Sequence, residues 1–145
     1  MSTTYKTSEL ALLNLIVANI NGYTTDNTKA GKEDEAFSWA IQNSTNCCVL
    51  DYAGGDEDSQ PSRIVNDQLW MWSCIVTFFI RYNRDSIETD IRDLSDNFMT
   101  MQRDNKRLSN NAYWRVQAAR PFGILKRNDR SFLPMSFVIQ IKTPI

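Results

Sequence analysis

Residues 69–104 read LWMWSCIVTFFIRYNRDSIETDIRDLSDNFMTMQRD, and a change of period inside this stretch decides the fold. As far as Asn83 two registers alternate. One holds Trp70, Trp72, Cys74, Val76, Phe78, Ile80 and Tyr82 and is apolar throughout. The other holds Leu69, Met71, Ser73, Ile75, Thr77, Phe79 and Arg81 and is mixed. Alternation at period two predicts a strand. A half-solvated strand would keep one face polar, so this one predicts cover on both faces. The second cover is either a neighbouring subunit, or an internal layer or folded-back loop. Past Asp85 the period becomes helical: Ile87, Ile91, Leu94, Phe98 and Met101 follow one face, opposite Asp90, Arg92, Asp93, Asp96 and Arg103. Asp85 and Glu88 have the spacing of a capping box. Asn105, Lys106 and Arg107 place cations at the helix end whose dipole favours them.

On the N-terminal side, residues 7–21 (TSELALLNLIVANIN) place Leu10, Leu13, Ile16 or Val17, and Ile20 at helical spacing. Thr7 or Ser8 is the expected cap and Gly22 the expected stop. Residues 22–35 are polar and predict a solvated loop. Phe37, Trp39 and Ile41 then alternate as a half-buried strand, and Cys47–Tyr52 as a second short one. Residues 53–62 (AGGDEDSQPS) predict another polar loop.

On the C-terminal side, Trp114, Val116 and Ala118 alternate against Tyr113, Arg115 and Gln117 until Pro121. Residues 122–130 predict a short basic connection. The last strand sets Met135, Phe137, Ile139 and Ile141 against Ser136, Val138, Gln140 and Lys142. Pro134 is expected at its start, at an edge or at a bulge, because proline cannot donate to a ladder. Together these elements predict an α+β fold: one mainly antiparallel sheet with two helices packed on one face, in a single domain over residues 1–145.

The 145 residues are long enough for a substantial core. No apolar run approaches a bilayer span and the start lacks a signal-peptide pattern, so neither membrane insertion nor export is expected. There is no histidine. That removes Ser-His-Asp and Cys-His nucleophile schemes and histidine metal sites, and leans against an enzyme. Cys47, Cys48 and Cys74 form no C-x-x-C pair and read as buried thiols. Phosphate-binding glycine motifs and calcium loops are missing from the sequence. No cofactor is expected. Asp56, Glu57 and Asp58 read as a solvated acidic tip rather than a cation site.

Residues 1–72 carry 4 basic and 10 acidic side chains, and residues 73–145 carry 12 and 7, so net charges of −6 and +5 sit in the two halves. An electrically polar subunit of this kind suits head-to-tail contact between copies.

The order of elements resembles the tail-terminator proteins of long-tailed bacteriophages, the family typified by the lambda minor tail protein U. The likeness runs over residues 7–145. It rests on the N-terminal helix and its polar loop, on LWMWSCIVTFFIRYNRD running directly into SIETDIRDLSDNFMTMQRD, and on AYWRVQAARPFGILKRND before the closing SFLPMSFVIQIKTPI. The resemblance implies a structural virion protein made in the host cytoplasm. Such a protein forms a homo-hexameric ring that caps the tail tube, ends tail polymerisation and meets the head-side neck connector, while DNA passes without specific binding. Related neck and tail-completion proteins share the plan. The candidate interface residues for the subunit or tube are Met71, Ile75 and Phe79 on the second strand face, the acidic Asp56, Glu57 and Asp58, and the basic Lys126, Arg127 and Arg130. Two alternatives come from the residues themselves. One is a nucleic-acid module using Tyr113, Trp114, Arg115, Lys126 and Arg127. The other is a small hydrolase with a carboxylate pair, signalled by a carboxylate of raised pKa in an open cleft.

Overall fold

The structure, a computed structural model, describes residues 5–31, 38, 46–57, 69–108, 112–127 and 130–144. In chain order these form α1 (Tyr5–Asn19), β1 (Thr28–Ala30), β2 (Cys47–Glu57), β3 (Leu69–Arg81), α2 (Ile87–Asp104), β4 (Tyr113–Pro121), β5 (Leu125–Arg127) and β6 (Arg130–Pro144). The strand order is β1-β2-β3-β6-β4, with β5 also paired to β6. Only β1 with β2 is parallel; the other pairings are antiparallel. This is the α+β plan that the periodicity predicts.

The apolar register of β3 faces the core. Cys74, Val76 and Phe78 are fully buried, and opposite them on β6 lie Ile139, Phe137 and Met135. Both helices cover this same face: Leu12 and Ile16 from α1, and Ile87, Leu94, Phe98 and Met101 from α2, join the one core cluster. At its centre the Phe98 ring stacks on Phe137 with centroids 4.1 Å apart and planes 16° apart. Phe78 meets both rings edge-on. Among the described residues no helix is long and apolar enough to cross a membrane.

Several expectations change. The buried face of α1 runs through Ser8, Leu12 and Ile16, while Leu10 stays 57% exposed. Apolar residues surround this helix on nearly every side, so packing against the sheet selects the face. The helix starts at Tyr5, ahead of the expected cap. Gly22, at φ +93, turns the chain out of it as expected. No capping box forms at α2. Its N-cap is Ser86, without a side-chain cap bond, and the Ser86 and Ile87 amides donate to the Asn83 carbonyl. The Ser86 hydroxyl instead donates to the Asp90 carboxylate.

Within the first polar loop lies β1. The Asn27 side chain accepts from the Thr24 amide and donates to the Gly22 carbonyl, and the Cys48 amide donates to the Asn27 carbonyl. That clasp aligns Thr28–Ala30 with Cys48–Leu50. Residues 53–57, expected as loop, continue β2. A bulge between Tyr52 and Gly55, with Gly54 at φ +100, lets the strand pair on to Trp72, Met71 and Trp70. The long β3 otherwise has open ladder positions there. The expected strand over residues 37–41 lies outside the described residues, Ser38 apart, and Ser38 has helical backbone.

Pro134 sits inside a central strand, opposite Phe79. On its other side β4 ends at Pro121, paired with Met135, and β5 begins at Leu125, paired with Phe132. The nitrogen that cannot donate faces this break, where the Phe122 amide donates to the Pro134 carbonyl at 2.8 Å. The rule for strand proline holds through a gap in the neighbouring ladder.

Candidate subunit interface

The second face of the sheet carries Met71, Ile75 and Phe79, as their alternation predicts, and its cover is uneven. Phe79, Val49, Cys47 and Phe132 are buried within the chain, so at Phe79 the cover is internal. Met71 and Ile75 are half-buried. Beside Ile75 the face opens into a groove of about 440 Å³, floored by Pro134 and Ser136 and walled by Phe122, Ile124 and Leu125.

The chain builds this wall because Pro121 ends β4 and the Phe122 amide ties the strand end to β6. The backbone then crosses the strand end through Gly123 and returns as β5. Phe122, Ile124 and Leu125 remain 53%, 46% and 41% exposed. Isolated exposed apolar residues are ordinary, but three within four positions, lining one groove, form a patch of the sort that marks an interface. Arg120, paired with the groove residue Ser136, and Lys126, which alternates to the other side of β5 from Leu125, flank the patch in sequence; both are exposed and without an ion pair among the described residues.

Of the basic trio, Lys126 and Arg127 lie on β5 and Arg130 opens β6, where it pairs in register with Arg127. Arg130 is partly buried and engaged with other groups. Asp56 and Glu57 lie at the end of β2, opposite Met71 and Trp70; Asp58 lies outside the described residues. The acidic end thus pairs with the start of β3, and the basic hairpin adjoins its finish. At ~3.3 Å per residue along β6 the two are roughly 40 Å apart. The sequence showed the charge asymmetry. It did not show Phe122, Ile124 and Leu125, which sit in a short connection with no periodicity to reveal them.

The nucleic-acid alternative loses a stacking ring. Trp114 is 3% exposed, packs edge-on to Phe98 and donates its indole N–H to the Asn105 carbonyl. The Tyr113 ring is occupied by the Arg107 guanidinium 5.0 Å from its centroid, and the Arg115 side chain donates to Gln140. The cysteines are buried thiols. Burial pushes Cys47 and Cys74 up to about 12 and Cys48 well above its ordinary value, so none is a ready nucleophile. Among the described residues no three His, Cys, Asp or Glu side chains gather to hold a metal ion.

A second cleft, of about 430 Å³, lies between α1 and the β1–β2 edge and is lined by Tyr5, Glu9, Leu50, Asp51 and Tyr52. Burial raises the Glu9 carboxyl above its ordinary 4.5, with nearby Asp51 adding to the rise and the Tyr5 hydroxyl bond opposing it. The folded chain therefore holds this proton in a window above 4.5 where the unfolded chain has lost it. Stability falls as pH climbs through that window. Glu9→Gln removes the fall and still accepts from Tyr5. Its denaturation midpoint should equal that of the parent near about pH 4 and exceed it at about pH 7. Equal midpoints at both pH values would show that the carboxyl is solvated.

Protein-family models and curated proteins yield no match to this chain.

Proposed function

We propose that the chain is a structural subunit of a long-tailed phage virion, a tail terminator that assembles as a homo-hexameric ring on the end of the tail tube. Its work is binding: to copies of itself, to the tube protein and to the head-side connector. The observation that carries this reading is the two-sided build of the subunit. Helices cover one sheet face, while the other presents an exposed apolar groove flanked by uncompensated cations. Exposed apolar patches of this kind mark interaction surfaces, and a ring subunit buries one against its neighbour. The order of elements along the chain supports placing the ring in a phage tail.

Native mass spectrometry across protein concentration and salt tests the reading. A discrete six-fold species is expected, and a fixed dimer would count against it. A chain that stays monomeric and fails to cosediment with tail tubes would remove it. Charge reversal at Asp56, Glu57 and Asp58 together should weaken assembly at low salt, because Asp56 and Glu57 lie at the end of the sheet remote from the basic hairpin. Undiminished assembly would leave these acids outside the contact.

One observation favours a second reading, a small hydrolase: Glu9, with its raised pKa, shares a cleft with Asp51. It requires turnover of aryl glycosides by the parent chain and loss of turnover in Glu9→Gln. Absence of turnover in the parent removes it.

A further inference from the structure

A third cleft, of about 350 Å³, opens on the helical side of the molecule, between the end of α1 and the outer face of α2. Ile20, Ile80 and Leu94 form its apolar part, and Asp90 and Asp93 its acidic rim. Two ion pairs on or beside this helix cancel locally, Arg92 with Glu88 and Arg103 with Asp104. Asp90, Asp93 and Asp96 have no cationic partner among the described residues, and their spacing of three sets them along one side of α2. Tyr23 also lines the cleft. It is 6% exposed, its ring rests edge-on against Phe78, and its hydroxyl has no hydrogen-bond partner among the described residues. The ring is buried while the hydroxyl opens to the cleft, where it can accept from a donor that enters.

The groove on the opposite sheet face has the matching composition. It offers Phe122, Ile124 and Leu125, flanked in sequence by Arg120 and Lys126, where the cleft offers Asp90 and Asp93 over the nearly buried Ile20, Ile80 and Leu94, with Asp96 further along the helix. One surface is apolar and edged by uncompensated cations, the other polar and edged by uncompensated anions. We infer that they are the two halves of one heterologous contact. The segment Arg120–Lys126 of one copy docks over the α1–α2 cleft of the next, and a cationic side chain of that segment enters between Asp90 and Asp93 within reach of the Tyr23 hydroxyl. The two halves lie on opposite faces of a single sheet, so each copy can engage two neighbours at once. Such a contact propagates head to tail and closes into a ring when the rotation permits. The inference rests on the ring reading and names the surfaces that build the ring.

A charge swap tests it. Arg120→Glu with Lys126→Glu makes the groove acidic, and Asp93→Lys with Asp96→Lys makes the helix face basic. All four residues are exposed, so both variants should fold, which circular dichroism checks. Alone, each variant sets like charges against each other, and its self-dissociation constant should rise by about tenfold or more. Mixed in equal amounts, the two restore opposite charges at every contact, but only between unlike copies. Native mass spectrometry should then show a ring containing equal numbers of each. If the parent forms rings and either variant alone does so equally well, the surfaces are wrong while the ring reading stands. The same holds if both variants fold but the mixture does not reassemble. A parent chain that stays monomeric and fails to cosediment with tail tubes overturns both.

Discussion

Phe98→Ala is expected to lower the unfolding free energy by about 3–5 kcal/mol, the range for deleting a fully buried phenylalanine. Phe98 is 0% exposed and is the residue through which α2 grips the sheet. Its ring stacks on Phe137, and Phe78 and Trp114 meet it edge-on at 5.7 Å and 5.9 Å. Truncation removes these contacts and leaves a cavity bounded by β3, β4 and β6, three strands held in one ladder and poorly able to collapse inward. Against a total stability of ~5–15 kcal/mol, such a loss takes a large share. Alanine is a better helix former than phenylalanine, so any intrinsic helix effect acts in the opposite direction. Urea titration followed by near-ultraviolet circular dichroism measures the change. Met99→Ala, on the exposed side of the same helix, should move the midpoint by less than about 0.5 kcal/mol. Equal effects at the two positions would mean that the helix is not anchored through Phe98.

Gly55→Ala should cost about 1–3 kcal/mol by overpacking, a large effect for a single methyl group. Gly55 follows the bulge in β2 and pairs with Trp72 on β3. A Cβ built there meets the Trp70 indole nitrogen and lies 2.6 Å from Trp72 Cε3. The Trp72 ring is not free to swing aside. Trp72 donates its indole N–H to the Thr143 hydroxyl at 2.9 Å and packs against Tyr5 and Tyr52, while Trp70 lies tilted against Trp72. The variant should melt earlier, with tryptophan emission shifted to the red as the indoles move toward water. Gly123→Ala is the control, since a Cβ there meets nothing within 4 Å. Its melting point should stay close to that of the parent. If Gly55→Ala behaves like Gly123→Ala, the close approach of the two indoles to β2 is not maintained in solution.

The sequence by itself determined the parts of this molecule where one face of an element contrasts with the other. In β3 and β6 the apolar register marks the face beneath the helices, so the core positions Val76, Phe78, Phe137 and Ile139 were legible, while the burial of Thr77, Phe79 and Ser136 on the other face was decided by the fold. The face of α2 was legible for the same reason, with Ile87, Leu94, Phe98 and Met101 buried against an outer face rich in Asp and Arg. In α1 that contrast is absent, and the sheet beneath it chose Leu12 and Ile16 while leaving Leu10 outside. Tertiary structure alone also decided what depends on pairing between residues distant in sequence. The open ladder of β3 draws Asp56 and Glu57 into a strand despite their polarity. The clasp at Asn27 makes a strand from a polar loop, and the break between β4 and β5 accommodates Pro134 in a central strand. The candidate interface belongs to this second group. Phe122, Ile124 and Leu125 follow no period, and only the return of β5 onto β6 brings them beside Ile75, with the acidic cleft of α2 on the opposite face of the sheet. A periodic pattern reports the environment of an element along its own axis. A surface assembled from a turn and two strands has no such axis, and folding alone creates it.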